Sequence, residues 1–562
     1  MDVLILAAGL GSRVSKYTLN TIPKFLINID DNTGLYYVIE YWQKYADNIY
    51  LVIHSNFYEI TKFYIDNVIP SEYNYKIKLI TYDGVLCKLP ISGESDGTAF
   101  TLNYILNNQL HNKIINKNLL ITWCDLYPID DIDFSLLNST ENNNIHVFTS
   151  GNKCRYGLKD NNVVFCEKSD GNILGIFYIQ NYTGFNLNDI IKGDDIVLYL
   201  HEIGQINELK VNNIIDYGDE QKLQFIVNNS NILKIKGRYF NKFTIIGNNK
   251  LLKEGITPKG IELIQKEHAW YSAINNNEIH PKLYNNEINN EINNEINKKN
   301  SILIEFKRNY IPVYQYFMNI DKKIKNNSSL EDTFNEIKPI VLESIIKKIK
   351  YLHSLNVQKI KRELFFKNLE IEIFDKIIQR KKNIEKFINF FGKISIVNDI
   401  NISSFEEILD KCKKIIYEYY ENLNNKNLEL EYRTIHGDCQ FSNILLNNSN
   451  ITDICLIDPR GYFGESMIFG PVEYDYAKIL YGISGYDAFN SNYFIIDSID
   501  NQSINFKIPE IKFKQKVLNK YFDRIHYAYL VVIWLGLADY NKNNIWKCLA
   551  SYYHGLYLGT LL

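Results

Sequence analysis

Short apolar runs alternate with segments of helical periodicity along the first 130 residues of the chain. Four of these runs predict strands, namely Val3–Ala8, Ile49–His54, Ile77–Tyr82 and Leu119–Thr122. The segments between them predict helices at Leu35–Tyr45, Phe57–Val68 and Thr98–Asn107. This alternation predicts an α/β, Rossmann-like domain whose mostly parallel sheet is covered by helices on both faces. In such a sheet, ligands bind beyond the carboxyl ends of the strands.

The pattern changes after about residue 225. Before this point, Val163–Cys166 and Gly175–Ile179 predict further strands and Leu198–Gly204 a helix. Beyond it, short strand patterns at Phe243–Gly247 and Lys250–Lys253 lead into a helix pattern at Ile261–Ile274, and after a strand pattern at Ser301–Phe306 the chain becomes mostly helical and rich in aromatic residues. The 562 residues therefore predict two domains, 1–225 and 226–562, with a low-complexity Asn-Asn-Glu-Ile insertion at 285–300.

Composition excludes some classes of function. The net charge is −3 and no basic stripe is present, which argues against a nucleic-acid enzyme. The eight cysteines form no Cys-x-x-Cys pair, so we expect free thiols in a reducing compartment and a cytoplasmic location. No apolar stretch reaches membrane-spanning length, and Val3–Ala8 lacks the basic flank of a signal peptide, so we expect no stable membrane insertion.

A glycine-containing loop, Gly9 to Arg13, directly follows the first predicted strand. Glycines there let backbone N–H groups approach phosphate oxygens, and Arg13 adds a planar cation suited to phosphate. Val14 stands where a dinucleotide fingerprint needs a third glycine, and no Gly-Lys-Ser/Thr ending marks a P-loop. Taken alone, the loop is equally consistent with a structural turn.

Other residues of the first domain strengthen the case for phosphate chemistry. Lys24 follows Pro23 and offers a second cation, and Gly97-Thr98 opens a predicted helix where backbone donors can contact a base or ribose. Asp125 and Asp216 each come just after an apolar strand pattern. Two carboxylates so placed can share one Mg²⁺ that bridges nucleotide phosphates, although each can equally be a helix cap or loop residue.

This order of motifs resembles the sugar-phosphate nucleotidyltransferase family, which includes choline-phosphate cytidylyltransferases. The resemblance covers nearly all of 1–225 and rests on Leu6 to Arg13, Pro23-Lys24, Gly97-Thr98-Ala99, Asp125, Tyr156-Gly157, Glu167-Lys168, Gly175 and Asp216-Tyr217-Gly218. It implies attack of a substrate phosphate on the α-phosphorus of a nucleoside triphosphate, CTP or UTP, with pyrophosphate leaving. It further implies nucleotide binding by Ala8, Gly9, Gly11, Gly97 and Thr98, charge neutralisation by Arg13 and Lys24, Mg²⁺ binding by Asp125 and Asp216, and acceptor-phosphate contacts by Glu167 and Lys168. Cys124 departs from the glycine that the family usually has before the metal-binding aspartate.

The most specific motif of the chain runs from His436 to Asn443. Asp438 and Asn443 have the Asp-x-x-x-x-Asn spacing of a kinase catalytic loop, and a predicted strand at Ile454–Ile457 ends at Asp458. Phosphoryl transfer from ATP needs a carboxylate near the acceptor hydroxyl and ligands for Mg²⁺. Asp438 can supply the first, and Asn443 and Asp458 the second.

Upstream residues offer the Lys–Glu pair that positions ATP phosphates in kinases. Lys253 ends a short predicted strand and Glu267 lies in the following helix, with Lys250 and Glu262 as rivals.

Residues 240–560 resemble the aminoglycoside phosphotransferase and choline kinase family, which has the protein-kinase-like α+β fold. Tyr474-Asp475 matches a family position that braces the helical lobe, and Arg460 in Asp458-Pro459-Arg460-Gly461 either contacts substrate or forms a surface ion pair.

The two resemblances together predict a bifunctional enzyme. A small alcohol or sugar would be phosphorylated with ATP, and the resulting phosphate would receive a nucleotidyl group, giving an NDP-sugar or CDP-alcohol for surface glycans or lipid headgroups. Both reactions would use Mg²⁺. The alternative is a nucleotidyltransferase whose kinase-like half serves as a binding or regulatory module. The oligomeric state is left open.

Overall fold

A computed structural model of the chain describes residues 1–9, 11–29, 31–84, 96–110, 114, 118–137, 144–166, 171–180, 182, 190, 194–230, 241–247, 249–284, 300–326, 331–423 and 429–562. The chain divides into two compact units. The first comprises Met1–Ile232, Lys386–Phe391 and Asn541–Ile545, and the second comprises Leu233–Glu385, Gly392–Tyr540 and Trp546–Leu562.

The first unit is built on a seven-stranded sheet. Its strands in chain order, with those of two separate two-stranded sheets, are β1 (Asp2–Leu6), β2 (Asn48–Ile53), β3 (Ile77–Thr81), β4 (Leu119–Trp123), β5 (Leu126–Pro128), β6 (Asn144–Cys154), β7 (Tyr156–Lys159), β8 (Asn162–Phe165), β9 (Gly171–Ile179), β10 (Gln205–Lys210) and β11 (Ile214–Asp216). Its helices are α1 (Ser15–Thr18), α2 (Gly34–Trp42), α3 (Tyr58–Asn67), α4 (Ser71–Asn74), α5 (Gly97–Tyr104, continued as a π segment Ile105–Gln109), α6 (Leu200–Ile203) and α7 (Glu220–Ser230). Short 3₁₀ turns lie at Ser12–Val14, Lys24–Leu26, Ser55–Phe57, Phe134–Leu137 and Ile196–Tyr199.

The sheet has the order β10-β6-β9-β4-β1-β2-β3 and is mostly parallel, as the sequence predicts. Every residue of β1 is buried, because this central strand is covered on both faces. Four of its five side chains are apolar, and the buried Asp2 accepts a hydrogen bond from Asn48 Nδ2 at 2.8 Å. β9 runs antiparallel to both β4 and β6, and β8 pairs with β7 in a separate hairpin.

The second unit combines small sheets with long helices. Its strands are β12 (Asn241–Ile246), β13 (Lys250–Gly255), β14 (Ser301–Glu305), β15 (Tyr310–Pro312), β16 (Val357–Lys361), β17 (Ile396–Val397), β18 (Ile400–Asn401), β19 (Glu429–Thr434), β20 (Ile444–Asn447), β21 (Asn450–Leu456), β22 (Tyr462–Phe463), β23 (Ser466–Met467), β24 (Phe469–Gly470), β25 (Ile495–Ile499) and β26 (Ser503–Lys507). The helices are α8 (Pro258–Ile274), α9 (Val313–Asn326), α10 (Glu331–Leu355), α11 (Arg362–Leu369, continued as a π segment Glu370–Asp375), α12 (Lys376–Phe390), α13 (Phe405–Leu423), α14 (Val472–Ile483), α15 (Tyr486–Asn490), α16 (Gln515–Leu518), α17 (Arg524–Tyr540) and α18 (Ile545–Leu561), with a 3₁₀ turn at Phe441–Asn443.

Strands β12, β13 and β14 form an antiparallel sheet against which helix α8 packs. The helix begins sharply because the Thr257 side chain accepts a hydrogen bond from Gly260 N at 3.1 Å, and Pro258 occupies its first turn. A second sheet pairs β20 with β15 and β21. The aromatic residues mostly pack, as the composition suggests: Trp270 and Trp534 are fully buried in the main core of this unit.

Two expectations fall outside the described residues. They are the low-complexity tract, apart from Asn300, and the Glu167-Lys168 pair. Within the described ranges, none of the helices combines the length and apolar character that crossing a membrane requires.

The sheet core predicts a measurable stability difference between two phenylalanines. Phe177 on β9 is fully buried, whereas Phe165 on β8 is 63% exposed. Phe177→Ala should destabilise the first unit by about 3–5 kcal/mol because a large core cavity opens. Phe165→Ala should change stability by less than about 0.5 kcal/mol. Urea unfolding of the full chain, followed by circular dichroism, compares the two. Equal shifts of the unfolding midpoint in the two variants would contradict this placement of the core.

Candidate active sites

The first candidate site lies at one edge of the parallel sheet. Strands β1 and β4 are parallel neighbours, with Leu6 opposite Trp123, so the chain leaves both strands at the same edge. The glycine-containing loop follows β1, and Asp125 follows β4. Lys24 reaches across this edge, and its Nζ donates a hydrogen bond to Asp125 Oδ2. The parallel register therefore brings two predicted site residues that are 101 positions apart into contact.

A strand pairing places Asp216 beside Asp125. β11 runs antiparallel to β5 with Asp216 opposite Leu126, and Tyr217 N donates to the Asp125 carbonyl at 3.0 Å. The two carboxylates then converge on Gly218. A Cβ atom on Gly218 would lie 2.7 Å from Asp125 Oδ2 and 3.2 Å from Asp216 Oδ1. Glycine therefore keeps open the space between the two carboxylates.

The charges at this site are mutually stabilised. Burial alone would lower the pKa of Lys24, but the adjacent Asp125 carboxylate raises it above its usual range. Burial would likewise raise the pKa of Asp125, and Lys24 and Arg13 together hold it low. Both groups are therefore charged at neutral pH. Asp216 has its own partner, Lys222, whose Nζ lies 2.5 Å from Asp216 Oδ2 and which sequence reasoning missed.

The residues present at this edge fit a divalent cation. Asp125 Oδ1 is buried and has no hydrogen-bond partner among the described residues, which is a costly state for a carboxylate oxygen unless a cation joins it. Within those residues, no three His, Cys, Asp or Glu side chains group as a metal site. Mg²⁺ usually takes one or two carboxylates together with substrate phosphates, so a two-carboxylate site suits it.

The loop that follows β1 packs closely against Lys24. Gly11 has φ +70°, and a Cβ there would meet Lys24 Cβ at 3.2 Å, so glycine is favoured both by conformation and by space. Ala8 is buried, Gly9 is partly exposed and Arg13 is exposed. The loop thus presents backbone and one cation at the sheet edge where Asp125 lies.

The remaining predicted residues of the first unit stand apart from these contacts. Gly97 begins α5, and the Thr98 hydroxyl donates to Asp195 Oδ1 at 2.9 Å while accepting from Ile196 N at 2.8 Å. The Thr98 side chain is therefore engaged within the protein, and a nucleotide contact there would have to use the backbone. Glu167 and Lys168 lie outside the described residues.

The second candidate site begins with a buried lysine held by two carboxylates. Lys253 Nζ on β13 lies 2.6 Å from Glu267 Oε2 on α8 and 2.7 Å from Asp458 Oδ1. Burial opposes the charge of Lys253, but Asp458 and Glu267 raise its pKa overall. Burial raises the pKa of Glu267, and the neighbouring Asp458 carboxylate raises it further, although Lys253 acts in the opposite direction.

The rival residues have different partners. Lys250 lies over the Tyr284 ring, with Nζ 5.6 Å from the ring centroid. Glu262 is paired with the exposed Lys259 and with Lys266, at 2.9 and 2.8 Å. The structure therefore forms the Lys–Glu pair from Lys253 and Glu267.

Asp438 and Asn443 meet through the loop that connects them. Asn443 Nδ2 donates to the Asp438 carbonyl at 2.9 Å and to Asp438 Oδ2 at 3.2 Å. Backbone bonds from Ile457 N to Asn443 O, at 3.0 Å, and from Arg460 N to His436 O, at 2.9 Å, bring Asp458 alongside this loop. Asp458 has φ +53°, a conformation that aspartate tolerates better than most residues.

Two buried carboxylates hold the loop from behind. Asp475 Oδ2 accepts from His436 N at 2.8 Å and from His353 Nε2 at 3.0 Å, and Asp475 Oδ1 accepts from Gly437 N at 2.7 Å. Asp487 Oδ1 accepts from Ser442 N at 3.0 Å. Side-chain carboxylates therefore accept hydrogen bonds from the backbone at both ends of the loop. His353 contributes indirectly, because it binds Asp475 and not the loop itself.

A cleft of about 490 Å³ is lined by all five of the predicted residues Lys253, Glu267, Asp438, Asn443 and Asp458. Arg460 also lines it. Arg460 does form an ion pair, with Glu372, but inside the cleft rather than at the surface, and its Nη1 donates to Tyr474 OH at 3.2 Å.

These residues also fit a metal-bound nucleotide. Asn443 uses its amide nitrogen toward Asp438, which leaves its carbonyl oxygen as the ligand atom, and Asp458 lies next to it in the same cleft. Glu267 Oε1 is buried without a hydrogen-bond partner in the described part of the chain. Hard oxygen ligands of this kind suit Mg²⁺.

Sequence reasoning missed several residues of the cleft. Lys478 Nζ lies 3.0 Å from Asp438 Oδ1, and Glu372, Lys376 and Arg380 also line the cleft. The sequence did contain a signal for Glu372, Lys376 and Arg380. They are spaced four residues apart, which places them on one face of a helix.

No protein-family model matches the chain, and no curated protein matches it in sequence. Its N-terminal part is similar to solved nucleotidyltransferase structures. A provisionally assigned glucose-1-phosphate thymidylyltransferase from Bacillus anthracis is 14% identical over 42% of this chain and 98% of that chain, with a TM-score of 0.33. UDP-glucose pyrophosphorylase from Acinetobacter baumanii is 13% identical over 41% of this chain and 92% of that chain, with a TM-score of 0.31. The inositol-1-phosphate CTP transferase from T. maritima is 10% identical over 41% of this chain and 96% of that chain, with a TM-score of 0.30. Likeness at this level supports no statement about the activity of this chain.

The convergence on Gly218 predicts a specific loss of metal binding. Gly218→Ala should weaken Mn²⁺ binding at the first site by roughly 10–100-fold, because the added methyl group occupies the space between the carboxylates. Gly151→Ala is the matched control, since a Cβ there meets nothing within 4 Å. Both changes are compared in an Asp458→Asn background, so that electron paramagnetic resonance of Mn²⁺ reads one site. Equal affinities in the two variants would contradict the proposed metal position.

The hydrogen bonds that Asp475 accepts from the loop carrying Asp438 predict a stability effect in the second unit. Asp475→Asn should lower the free energy of unfolding by roughly 2–4 kcal/mol. The two oxygens of Asp475 accept hydrogen bonds from backbone N–H groups, and the amide nitrogen of asparagine cannot accept such a bond. Asp497→Asn, whose exposed carboxylate pairs with Lys507 at 2.9 Å, is the control and should change little. Guanidinium unfolding followed by tryptophan fluorescence makes the comparison. A mild effect of Asp475→Asn would mean that the loop does not depend on this carboxylate.

Proposed function

We propose that the chain is a bifunctional transferase. Its second unit, with a protein-kinase-like fold, would phosphorylate a small alcohol or sugar with ATP. Its first unit would transfer a nucleotidyl group, from CTP or UTP, to the resulting phosphate. The product would be an NDP-sugar or CDP-alcohol, as used for surface glycans or lipid headgroups. We expect the chain to act in the cytoplasm, where nucleoside triphosphates are available, and to bind no nucleic acid.

One observation carries the kinase proposal. Five polar residues from four separate parts of the chain line one cleft, and each has the chemistry that its predicted role requires. A binding module needs no such set, whereas phosphoryl transfer needs all of its parts together. The catalytic loop is moreover held by two buried carboxylates, as positioning of a reacting group demands.

In the proposed transfer, Asp438 accepts the proton of the acceptor hydroxyl. The hydroxyl oxygen forms a bond to the γ-phosphorus of ATP, the bond from that phosphorus to the β–γ bridging oxygen breaks, and ADP leaves. Lys253, oriented by Glu267, would neutralise the phosphates of ATP, and Lys478, 3.0 Å from Asp438, would keep this carboxylate oriented. Mg²⁺ held by Asn443 and Asp458 would offset the negative charge of the phosphates.

The nucleotidyl transfer rests on the sheet-edge site. The acceptor phosphate oxygen would form a bond to the α-phosphorus, and pyrophosphate would leave. Lys24 and Arg13 would offset the phosphate charge, and the backbone around Gly9 and Gly11 would contact the nucleotide. Asp125 and Asp216, which converge on Gly218, would hold Mg²⁺, whose positive charge stabilises the leaving pyrophosphate. This reaction needs position and charge more than a nucleophilic side chain, which suits the residues at the site.

Separate variants test the two halves. Purified full-length protein is incubated with Mg²⁺, ATP, CTP, UTP and a panel of sugars, polyols and amino alcohols, and products are followed by phosphorus NMR and mass spectrometry. Asp438→Asn should reduce formation of the phosphomonoester by roughly 10²–10⁴-fold, because the base is lost, and leave nucleotidyl transfer to supplied sugar phosphates intact. Asp125→Asn should do the reverse.

Each failure has a distinct meaning. If wild-type protein forms conjugates from supplied phosphates but never a phosphomonoester, the kinase-like half is a binding or regulatory module. If it forms phosphomonoesters that its own nucleotidyltransferase rejects, the two reactions are not consecutive steps. A fully active Asp438→Asn variant would remove Asp438 from the mechanism.

A further inference from the structure

One end of the cleft in the second unit has more positive than negative charge. Arg460, Lys376 and Arg380 line this region, and Glu372 is the carboxylate among them. Glu372, Lys376 and Arg380 follow one another at four-residue intervals, from the π segment into α12, so that one helix face presents all three. We refer to Lys376, Arg380, Arg460 and Glu372 as the cationic end of the cleft.

A single carboxylate oxygen serves two of the cations. Glu372 Oε1 accepts from Lys376 Nζ at 2.8 Å and also from an Arg460 guanidinium nitrogen. Arg380 Nη1 donates to the Gly536 carbonyl instead, and no described carboxylate lies within ion-pair distance of Arg380. Two cations thus share one carboxylate, and the third, Arg380, has a backbone carbonyl as its partner.

This arrangement is unfavourable without a further anion. Uncompensated charge in a partly desolvated cleft costs free energy, and like charges close together add to that cost. Burial lowers the pKa of Lys376 to about 8, and the nearby Arg460 adds to this effect. A lysine so destabilised in its charged form gains most from an anionic ligand.

Three of the aromatic rings that line the cleft already have cations of the protein near them. The Tyr462 ring has Arg460 at 4.3 Å from its centroid and Lys266 at 4.0 Å. Lys478 lies 5.8 Å from the Tyr474 centroid and 5.2 Å from that of Tyr481. A quaternary ammonium group would have to compete with these protein cations at Tyr462, Tyr474 and Tyr481, which disfavours a choline-like acceptor there.

We propose that the acceptor of the second unit carries an anionic group, a phosphate or a carboxylate, which Lys376 and Arg380 bind while its hydroxyl faces Asp438. This inference rests on the proposed kinase function and specifies its substrate class. Arginine forks and lysine ammonium groups are the usual partners of both anions. Arg460, adjacent to the loop of Asp438, would connect the anionic end to the reacting end. The acceptor keeps its anionic group, and the product gains a second one at the former hydroxyl.

A comparison of acceptor classes tests the proposal with the full-length protein. ATP-dependent phosphorylation is measured for sugar phosphates, sugar acids, neutral sugars and polyols, and choline and ethanolamine. The variants are Lys376→Gln, Arg380→Gln and their combination. Lys381→Gln is the matched control, because Lys381 lies on the same helix but pairs with Glu385 and does not line the cleft.

The expected result is a preference for anionic acceptors that the variants remove. Each single variant should raise KM for the anionic acceptor by about tenfold with a smaller change in kcat, because a charge-assisted contact to a non-reacting group is lost. Lys381→Gln should behave as wild type. Sugar phosphates and sugar acids, compared with each other, distinguish a phosphate from a carboxylate. Efficient phosphorylation of neutral or cationic acceptors, unchanged in the double variant, would overturn the inference while leaving the kinase proposal standing.

A binding measurement separates this inference from failure of the kinase proposal. Inorganic phosphate is titrated calorimetrically into protein saturated with Mg²⁺ and a non-hydrolysable ATP analogue. Wild type and Lys381→Gln should bind phosphate at least about tenfold more tightly than the double variant. If phosphate binds in this way but no acceptor is phosphorylated, the kinase proposal is contradicted, and anion binding at the cationic end of the cleft is still supported. Equal binding by wild type and the double variant, or none by wild type, would overturn it.

Discussion

Both candidate sites depend on a lysine buried beside carboxylates. Lys24 is paired with Asp125 at the sheet edge of the first unit, and Lys253 is paired with Glu267 and Asp458 in the cleft of the second. Removing one partner from such a group strands the other charge in a low dielectric, which typically costs about 3–5 kcal/mol. The pairs therefore hold their carboxylates in place before any ligand binds, and the remaining contacts of each site are arranged around them.

The supporting contacts differ between the units because the folds differ. In the first unit, strand register does the positioning: β1 and β4 end together, and the β5–β11 pairing sets Asp216 beside Asp125. In the second unit, side chains position the site residues. Asp475 and Asp487 accept hydrogen bonds from the backbone of the loop that carries Asp438 and Asn443. A loop without ladder partners needs such acceptors, because its buried N–H groups would otherwise be unsatisfied.

Charge balance distinguishes the two ends of the cleft. At one end, Lys253 is outnumbered by Glu267 and Asp458, a surplus of negative charge that suits Mg²⁺ together with a nucleotide. At the other end, Glu372 is outnumbered by Lys376, Arg380 and Arg460. The two ends of the cleft therefore differ in their balance of positive and negative side chains. This difference comes from side chains on elements that are distant in sequence, and no single motif contains it.

Local features could be predicted from the amino-acid pattern alone. Apolar runs identified β1, β2, β3 and β4 of the sheet to within a few residues but did not reveal β6 and β10. The spacing of Asp438 and Asn443 identified the loop that the structure places in the cleft. Other features depend on the tertiary structure. The choice of Lys253 over Lys250 depends on which lysine side chain is buried next to Glu267, and two lysines three residues apart on one strand do not reveal this by pattern. The antiparallel direction of β9, and the cationic end of the cleft, depend on packing between segments distant in sequence, because strand pairing and charge balance are properties of neighbours in space.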